Sequence, residues 1–526
     1  MTRHTRQLAR TLMVQGTSSS SGKSLLVTAL CRIFARRGLR VAPFKAQNMS
    51  NNAAVCPDGS EIGRAQAVQA MAAGIEPRAD MNPILLKPEA DARSQVVLNG
   101  RAWRALPARD YYRYKSQLWS AVSGALDRLR GEYDLVIIEG AGSPVELNLK
   151  AGDLVNMAVA RYATAPVVLV GDIDRGGIFA QLLGTLWLLP PEEQALVRGL
   201  VVNKFRGDLR LFADGVRMLE ERGGVPVLGV VPFISRLTIP DEDAVAIEDR
   251  KYPLDRLAPE AKSPARGVDI AVIKLPHIAN FDDFDALIHE TGVHLRYVTA
   301  PDTLGHPHAV VLPGTKSTVA DLTWLREQGL ADAIQRLAVS GVSVVGICGG
   351  YQMLGQLICD PDHCESPIEV TPGLGLLPLT TVFSKEKATH QAEAQIVTTP
   401  GWLTPLAGQT VRGYEIHMGR TAPSADSPSS TGCQAWLRIT RRSGQSVSVW
   451  DGAISDDGRV WGCYLHALFD NDNLRHAWLR SLGWDDHAEV LSPGFSRQAA
   501  FDRLADVVEA ALNMPRLEAI IWGEQP

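Results

Sequence analysis

A segment near the amino end of the chain has the residue types that cradle phosphate groups. It reads Gly-Thr-Ser-Ser-Ser-Ser-Gly-Lys-Ser and lies between a strand-like and a helix-like stretch. A phosphate loop needs free backbone N–H groups at a helix N-terminus, a lysine for the phosphates and a hydroxyl for Mg²⁺. A serine-rich turn that only caps a helix is the alternative, but capping does not explain Gly-Lys-Ser in register after a strand. The predicted nucleotide-binding residues are Gly16, Thr17, Gly22, Lys23 and Ser24.

Two acidic residues are candidates for holding the Mg²⁺ ion of such a nucleotide. Glu139 ends an apolar stretch, and an acidic residue at the carboxyl end of a parallel strand points into the crevice where ligands bind. There its carboxylate could share Mg²⁺ with the Ser24 hydroxyl. Glu61 opens a helix-like segment and is the predicted second metal carboxylate. An ordinary first-turn acid that faces the helix dipole is the alternative for Glu61.

A cysteine in the second half of the chain has the surroundings of a nucleophile. Cys348 follows an apolar strand-like run, is followed by two glycines, and precedes a helix-like stretch. Glycines allow the sharp strand-to-helix turn of a nucleophile elbow, and the helix N-terminus favours a thiolate. His466, after a later strand, is the candidate base, because a cysteine and a histidine far apart in sequence are the expected pair for thiol acyl transfer. A buried structural cysteine is the alternative.

Short apolar runs that alternate with helical patterns are expected to position these residues. The alternation predicts two α/β domains, each built on a parallel, doubly wound sheet. The first is assigned to residues 1–247 and the second to residues 266–526, with a helical extension at 497–512. Residues 248–265 are charged and proline-bearing without an apolar period, and they are predicted to be the linker.

Composition excludes several other classes of protein. The 526 residues are 45% hydrophobic and 21% charged, which is typical of a soluble globular protein. Lys and Arg number 53 against 58 Asp and Glu, so the net charge of −5 gives no basic field for nucleic acid or an acidic membrane. No apolar run approaches the roughly 18 residues of a membrane span. Seven scattered cysteines suit a reduced compartment, so we expect a cytoplasmic enzyme that binds neither nucleic acid nor membrane.

Both halves resemble known families. The Gly-Thr-x₄-Gly-Lys-Ser loop resembles the dethiobiotin-synthetase-like branch of P-loop proteins and lacks the extra lysine of partition-type ATPases. That resemblance implies ATP as the nucleotide and Asn203 as a contact to its base. Gly-Ile-Cys-Gly-Gly-Tyr-Gln, which contains Cys348, resembles the class I glutamine amidotransferases, which implies an oxyanion hole at Gly314 and Gly349. Most of these domains carry Glu two residues after the histidine, whereas Leu468 stands there, so the residue that orients His466 is expected elsewhere.

Further segments make the resemblance specific. Lys-Ala-Gln-Asn-Met-Ser-Asn-Asn at 45–52, Glu-Ile-Gly-Arg-Ala-Gln at 61–66 and Asn-Lys-Phe-Arg-Gly-Asp at 203–208 are similar to the cobyric acid synthase family over nearly the whole chain. The family implies ATP- and glutamine-dependent amidation of the b, d, e and g carboxylates of adenosylcobyrinic acid a,c-diamide. Amides and cations near the amino end suit such a corrinoid substrate. The expected corrinoid contacts are Lys45, Gln47, Asn48, Asn51 and Lys87.

Two other functions remain as alternatives at this point. Cobyrinic acid a,c-diamide synthase uses the same two-domain chemistry on other carboxylates, and the run 45–49 argues against it. A non-catalytic partition-type ATPase with a decayed amidotransferase half is the second alternative. An intact Cys348 and His466 argue against that one. The oligomeric state is left open by the sequence.

Overall fold

The computed structural model describes residues 8–89, 93–235, 239, 267–397, 400–424, 432–485 and 497–523. The predicted linker at 248–265 lies outside the described residues. Within the described ranges, no helix has both the length and the apolar character needed to cross a bilayer.

The first half of the chain contains twelve strands and eight α-helices among its described residues. The strands are β1 (Arg10–Gly16), β2 (Val41–Phe44), β3 (Gln47–Met49), β4 (Ala53–Val55), β5 (Glu61–Gly63), β6 (Ile84–Glu89), β7 (Arg93–Leu98), β8 (Arg101–Pro107), β9 (Leu135–Glu139), β10 (Val167–Asp172), β11 (Val197–Phe205) and β12 (Val227–Pro232). The helices are α1 (Lys23–Arg36), α2 (Arg64–Ala72), α3 (Ala108–Tyr111), α4 (Lys115–Glu132), α5 (Met157–Ala163), α6 (Ile178–Leu188), α7 (Pro191–Gln194) and α8 (Ala213–Gly223).

Six of these strands form the parallel sheet that the sequence predicts. The order is β12-β11-β10-β1-β9-β2, and every pairing is parallel. Both faces of this sheet are covered by apolar clusters, which explains why its strands read as continuous apolar runs. Because β1 lies between β10 and β9, the loop after β1 opens at the carboxyl ends of three neighbouring strands.

The segment between β2 and β9 contains a second, smaller layer that the sequence analysis does not predict. Its strands form a sheet in the order β3-β6-β7-β8 and a β4–β5 hairpin. Glu61 lies in β5, not in a helix, because Gly63 is extended and pairs with Ala53. Helix α2 therefore begins only at Arg64, three residues later than the predicted helix-like segment.

The second half of the chain has a parallel sheet with an antiparallel layer beside it. Its strands are β13 (Val268–Ile273), β14 (Val293–Val298), β15 (Ala309–Leu312), β16 (Ser343–Ile347), β17 (Leu357–Cys359), β18 (Val370–Pro372), β19 (Leu379–Ile396), β20 (Thr410–Pro423), β21 (Cys433–Gln434), β22 (Leu437–Arg442), β23 (Gln445–Asp451), β24 (Ala453–Ser455) and β25 (Val460–Cys463). Its helices are α9 (Asp285–Ile288), α10 (Pro301–Leu304), α11 (Thr318–Glu327), α12 (Leu330–Val339), α13 (Gly349–Leu354), α14 (Asp472–Ser481), α15 (Arg497–Ala511) and α16 (Met514–Trp522).

The order of this second sheet brings the predicted catalytic segments together. It runs β14-β13-β15-β16-β25-β24-β21, with β15, β16 and β25 adjacent and parallel. The loops after these three strands carry Gly314, Cys348 and His466. Since the carboxyl ends of parallel strands meet at one edge, the three residues share a single site.

The two halves meet along a buried seam. A small apolar cluster joins Val55 and Leu85 of the first half to Tyr414 and Ile416 of the second. The backbone N–H of Ala53 donates a hydrogen bond of 3.0 Å to the Oδ1 atom of Asn280 across this seam. The seam lies beside the catalytic edge of the second sheet, because Tyr414 forms an antiparallel bridge with His466.

The last two helices return to the first sheet. Phe501, Leu504 and Val508 of α15 pack in the same apolar cluster as α1, and Arg32 of α1 forms an ion pair of 2.8 Å with Asp502. The sequence analysis assigns the helical extension to the second domain by its position in the chain, but its core contacts are with the first domain. A pattern of apolar residues shows that a helix has a buried face, but it does not show which part of the protein packs on that face.

Replacing Phe501 with alanine is expected to loosen the first domain, although this residue follows the second domain in the sequence. Its side chain is 1% exposed in the cluster beside α1, and truncation of a buried phenylalanine costs about 3–5 kcal/mol. Hydrogen exchange measured by mass spectrometry should quicken in β1 and α1 more than in β16. Asp506→Ala, on the exposed face of the same helix, is the control and should cost less than about 1 kcal/mol. Equal loosening of both domains would contradict this packing.

Candidate active sites

The predicted phosphate loop has the backbone geometry that phosphate binding needs. Gly22 has a φ of +92° immediately before α1, a conformation that favours glycine. A side chain at Gly16 would collide with Ser21 and would lie 2.9 Å from the Lys23 Nζ atom. Lys23 donates hydrogen bonds of 2.7 and 3.2 Å to the carbonyl oxygens of Ser18 and Ser19. The lysine is thus held against the loop by backbone carbonyl groups.

The two predicted metal ligands Ser24 and Glu139 do come together. The Ser24 hydroxyl donates a hydrogen bond of 2.9 Å to one carboxylate oxygen of Glu139, and Lys45 donates one of 2.8 Å to the same oxygen. The Nε2 atom of Gln69 lies 2.5 Å from the other oxygen. A hydroxyl and one carboxylate beside a phosphate loop fit Mg²⁺, which binds through one or two carboxylates together with substrate phosphates. Among the described residues, no group of three or more His, Cys, Asp or Glu side chains is arranged to hold a metal ion.

Glu61, the predicted second metal carboxylate, has two lysine partners in the structure. Its carboxylate accepts hydrogen bonds of 2.6 Å from Lys87 and 2.5 Å from Lys387, a residue of the second domain. Burial by itself would raise the pKa of Glu61, but the two lysines lower it well below its ordinary value. Both oxygens therefore already neutralise lysine charge, and Glu61 belongs to an ion cluster at the seam.

The ends of β10 and β11 complete the floor of the nucleotide site. Asn203 donates a hydrogen bond of 2.9 Å to the Ser21 carbonyl, so its amide nitrogen holds the phosphate loop. Lys204 donates one of 2.8 Å to the carboxylate of Asp172, which is 1% exposed. The sequence analysis missed Asp172, although an acid at the carboxyl end of a buried strand is the same signal that identified Glu139.

A mainly apolar cavity lies beside this loop on the side of the C-terminal helices. Asn203 and Phe233 contribute to its wall together with Leu26 of α1. Leu504 and Val508 of α15 also line it. A flat purine ring suits an apolar cavity with an amide at its edge. Asn203 lines this cavity and holds the loop, and its contact with the base stays a prediction.

Cys348 lies at a strained turn between β16 and α13. Its φ of +51° falls in the region that non-glycine residues rarely adopt. The turn is tightly packed, because a side chain at Gly350 would collide with the backbone of Leu312. The Cys348 Sγ atom lies 3.5 Å from the Ile416 carbonyl oxygen, and the residue is 7% exposed. This is the elbow geometry that the sequence predicts for the nucleophile.

The residue that orients His466 is Asp283, from the loop that follows β13. Its Oδ2 atom lies 2.7 Å from the Nδ1 atom of His466, and its Oδ1 atom accepts a hydrogen bond of 2.7 Å from the Ala467 N–H. Burial by itself would lower the pKa of His466, but Asp283 and the nearby Cys348 outweigh it and raise the pKa to about 10. A protonated imidazole beside the sulfur favours a thiolate. The sequence missed Asp283 because it lies 183 residues before the histidine.

The predicted oxyanion residues flank the cysteine. A side chain at Gly314 would lie 2.9 Å from the Cε1 atom of His466, and one at Gly349 would lie 2.6 Å from Thr315. Both positions therefore require glycine, so that the backbone can approach the reacting carbonyl group. Gly349 is the first residue of α13, whose N–H groups point towards Cys348. This arrangement supports Gly314 and Gly349 as the oxyanion hole.

The cavity that opens onto Cys348 is lined by both halves of the chain. Gln352, Glu365 and Lys316 line it from the second domain, and Lys87 and Gln95 line it from the first. Burial raises the pKa of Glu365 to about 7. The cavity therefore presents opposite charges next to the nucleophile.

The predicted corrinoid contacts fall into separate environments. Lys45 pairs with Glu139, whereas Lys87 pairs with Glu61. Gln47 accepts a hydrogen bond from the Tyr111 hydroxyl, and Asn48 donates one of 3.3 Å to Gln66. Asn51 is half-buried, and its Oδ1 atom has no hydrogen-bond partner. The two lysines are not free cations, so their interaction with a substrate would require them to exchange partners.

Each half of the chain matches a known protein family. Residues 12–244 match a family described as a CobQ/CobB/MinD/ParA nucleotide binding domain. Residues 269–474 match one described as a CobB/CobQ-like glutamine amidotransferase domain. The two matches coincide with the two parallel sheets.

Full-length relatives match over nearly the whole chain. The chain is 57% identical to a cobyric acid synthase of Roseiflexus castenholzii, over 96% of this chain and 97% of the relative. It is 55% identical to the enzyme of that name from Chloroflexus aurantiacus, over 98% and 99% of the two chains. A third, from Moorella thermoacetica, is 50% identical over 99% and 98%.

Asp283→Asn is expected to lower glutamine-supported turnover by about 10²–10⁴-fold, because loss of the orienting carboxylate leaves the imidazole in the wrong tautomer. Turnover supported by external ammonium should be retained.

The raised pKa of His466 means that its pairing with Asp283 stabilises the fold fully below about pH 6.5 and that this contribution is lost as the pH rises through about 10. Urea unfolding of wild type and variant should therefore differ most below pH 6.5 and converge above pH 10.

The exposed Asp332→Asn, in the same domain, is the matched control for this substitution. It should change neither the turnover nor the pH dependence of unfolding. An Asp283→Asn protein that uses glutamine at the wild-type rate would mean that another group orients His466.

Proposed function

Because the chain belongs to the cobyric acid synthase family, we propose that it amidates the b, d, e and g carboxylates of adenosylcobyrinic acid a,c-diamide. The chain is a glutamine-hydrolysing ligase of cobalamin biosynthesis that uses ATP. The observation that supports the finer proposal is helix α2, whose Arg64 contacts the histidine–aspartate side of the cysteine site and whose Gln69 contacts Glu139 beside the phosphate loop. The second domain would release the ammonia, and the first domain would make the acyl phosphate that the ammonia attacks.

In the second domain, Cys348 is the proposed nucleophile that attacks the side-chain amide of glutamine. The thiolate forms a glutamyl thioester, and His466, held by Asp283, gives its proton to the departing ammonia. The N–H groups of Gly314 and Gly349 would stabilise the oxyanion of each tetrahedral intermediate. Water then hydrolyses the thioester to glutamate and restores the thiol.

Charged groups in the same cavity are proposed to recognise the other end of glutamine. Glutamine carries an α-ammonium and an α-carboxylate, and the cavity offers Glu365 and Lys316. Glu365 accepts a hydrogen bond of 2.9 Å from the Val319 N–H, which fixes its carboxylate. An arriving ammonium group would favour the ionised form of a carboxyl group whose pKa burial has raised to about 7.

In the first domain, Lys23 and the N–H groups of the phosphate loop are proposed to hold ATP while a corrinoid carboxylate attacks the γ-phosphate. The products of that step are an acyl phosphate and ADP, and ammonia then displaces phosphate to form the amide. Lys23 supplies charge to the phosphoryl group during transfer. Ser24 and Glu139 would hold Mg²⁺, which when bound neutralises phosphate charge.

Ammonia must pass between these sites without meeting water, because in neutral water it is protonated and no longer a nucleophile. A row of buried amide side chains is the proposed route. It begins at Asn280, whose Nδ2 atom lies 3.3 Å from the Nε2 atom of His466. Next to it, Asn52 accepts a hydrogen bond of 3.4 Å from the Phe281 N–H. The route then passes Gln66, whose Oε1 atom pairs with Asn48.

The row ends at the phosphate loop. Gln66 and Gln69 are three residues apart on α2 and therefore share a face, and Gln69 contacts Glu139. Buried atoms of three of these amides, Asn52 Nδ2, Gln66 Nε2 and Gln69 Oε1, have no hydrogen-bond partner among the described residues. Buried polar atoms are rarely left unpaired. Ammonia, which both donates and accepts hydrogen bonds, would pair with each of them in turn.

The function is tested with two variants and two nitrogen sources. Cys348→Ser should abolish amidation with glutamine but retain it with high external ammonium, because a serine hydroxyl ionises far less readily than a thiol. Lys23→Ala should abolish both reactions, because the acyl phosphate no longer forms. Mass spectrometry of the corrinoid after incubation with ATP, Mg²⁺ and either nitrogen source measures the number of amides added.

Each outcome of that experiment has a distinct meaning. If folded Cys348→Ser loses amidation with both nitrogen sources, the cysteine takes part in the synthetase chemistry. Retained glutamine use would point to another nucleophile, with the buried Cys463 the first to replace. Amidation of only the a and c carboxylates of a corrinoid substrate would favour the alternative cobyrinic acid a,c-diamide synthase.

Gly63→Ala is expected to block the proposed ammonia route. An added methyl group at Gly63 would collide with Asn48 and lie 2.8 Å from the Gln66 Oε1 atom, while the extended backbone of Gly63 suits alanine. With glutamine labelled by ¹⁵N in its amide and unlabelled ammonium as competitor, wild type should make ¹⁵N product, and the variant mostly unlabelled product. Gly184→Ala, which meets open space, is the control. Unchanged ¹⁵N transfer in Gly63→Ala would exclude this route.

A further inference from the structure

Helix α2 belongs to the first domain, but its first residue lies within the catalytic site of the second. The Arg64 Nε atom lies 3.0 Å from the Oδ2 atom of Asp282. The Nη2 atom of Arg64 also donates a hydrogen bond to the Tyr414 hydroxyl, and the guanidinium carbon lies 5.0 Å from the centre of that ring. Arg64 is buried, so its charge depends on these partners.

One partner of Arg64 contacts the catalytic histidine, and the other adjoins the residue that orients it. Tyr414 stacks on His466, with ring centres 5.1 Å apart and planes 17° apart. Asp282 is the neighbour of Asp283 in the short 3₁₀ helix that orients the imidazole. Burial by itself would lower the pKa of Arg64, but Asp282 and the other acids raise it above its ordinary value, so the cation is permanent. The position of His466 is therefore set partly by a residue from the other domain.

The same helix contacts the nucleotide site five residues later. Gln69 donates a hydrogen bond of 2.5 Å to Glu139 and one of 3.5 Å to the Ser24 carbonyl. Arg64 and Gln69 are separated by roughly 7.5 Å along the helix axis at 1.5 Å per residue. A helix is rigid over that length, so a shift at one end is carried to the other.

We propose that Arg64 is a positioning residue for His466, and that α2 couples occupation of the phosphate loop to the rate of glutamine hydrolysis. This inference rests on the proposed function of the two sites. ATP phosphates and their metal ion would compete with Gln69 for Glu139, and release of that end of α2 would let the Arg64 guanidinium settle against Asp282 and Tyr414 and so hold His466 in its reactive position. Glutamine would then be hydrolysed rapidly only when ATP is bound and can activate the corrinoid carboxylate.

The geometry requires arginine at this position. Its planar guanidinium binds the carboxylate and the hydroxyl while lying against the aromatic ring, whereas a lysine ammonium is a single point of charge. Arg64→Lys therefore keeps the charge that balances Asp282, so that the fold survives, but loses the shared geometry. Removal of the charge altogether would leave Asp282 buried and uncompensated.

Glutaminase kinetics of Arg64→Lys, with and without a non-hydrolysable ATP analogue, test the proposal. The analogue should raise the wild-type kcat by about fivefold or more, the lower end of typical coupling between sites. In Arg64→Lys we expect kcat to fall roughly tenfold with little change in the KM for glutamine, because the residue does not touch glutamine. Stimulation by the analogue should be lost. In a plot of kcat against pH, the alkaline limb should move to lower pH, because His466 is held less well beside Asp283.

Controls separate positioning from folding. Arg78→Lys, an arginine paired with Asp80 and Glu132 away from the seam, should behave as wild type. The rate of amidation with external ammonium in Arg64→Lys should stay within about twofold of the wild-type rate, because a change confined to glutamine hydrolysis leaves the amidation step intact. If ammonium-supported and glutamine-supported rates fall together, Arg64 has a general structural role and the proposal is overturned. If the wild type shows no stimulation and no change in hydrogen exchange at residues 464–468 with the analogue, the coupling does not exist.

Discussion

Ammonia is a nucleophile only while it is unprotonated, so the proposed transfer of ammonia requires the two halves of the chain to meet at a buried surface. Each parallel sheet presents its reactive loops at the carboxyl ends of its strands, so the two sites can exchange ammonia in the absence of water only if those ends face a common buried region. The seam meets this requirement. Asn280, beside His466, accepts a hydrogen bond from Ala53 of the first half, and Val55 and Leu85 of the small layer pack against Tyr414 and Ile416 of the second half.

Charged groups buried in that seam fix how the halves dock. Glu61 binds Lys87 from its own half and Lys387 from the other, and Lys316 of the second half lies 3.1 Å from Glu89 of the first. Burial lowers the pKa of Lys387 to about 8, although Glu61 opposes this. Desolvation consumes most of the Coulomb energy of such pairs, so their main effect is on geometry. A shifted docking would leave one lysine unpaired, and this restricts the halves to one arrangement.

The sequence predicts those parts of the sites that depend on local order. A strand, a tight turn and a helix lie within about ten residues, so Lys23, Glu139 and Cys348 can be identified from their neighbours alone. Partners that meet only after folding leave no such signal. Asp283 lies far from His466 in the sequence, and the lysines that bind Glu61 come from two different strands. The position of Glu61 before a helix predicts a metal role, whereas its contact with Lys387 arises only when the two halves meet.

The origin of the orienting carboxylate links catalysis to domain docking. A carboxylate two residues after His466 would lie on the inner side of the second domain, where Leu468 is 1% exposed in the core. Asp283 instead comes from the 3₁₀ helix after β13, whose neighbour Asp282 pairs with Arg64 of the first domain. The segment that aims the imidazole is thus the same segment that contacts α2. Any movement of the first domain against this segment changes the geometry of the base, whereas a carboxylate within the core would insulate His466 from that movement.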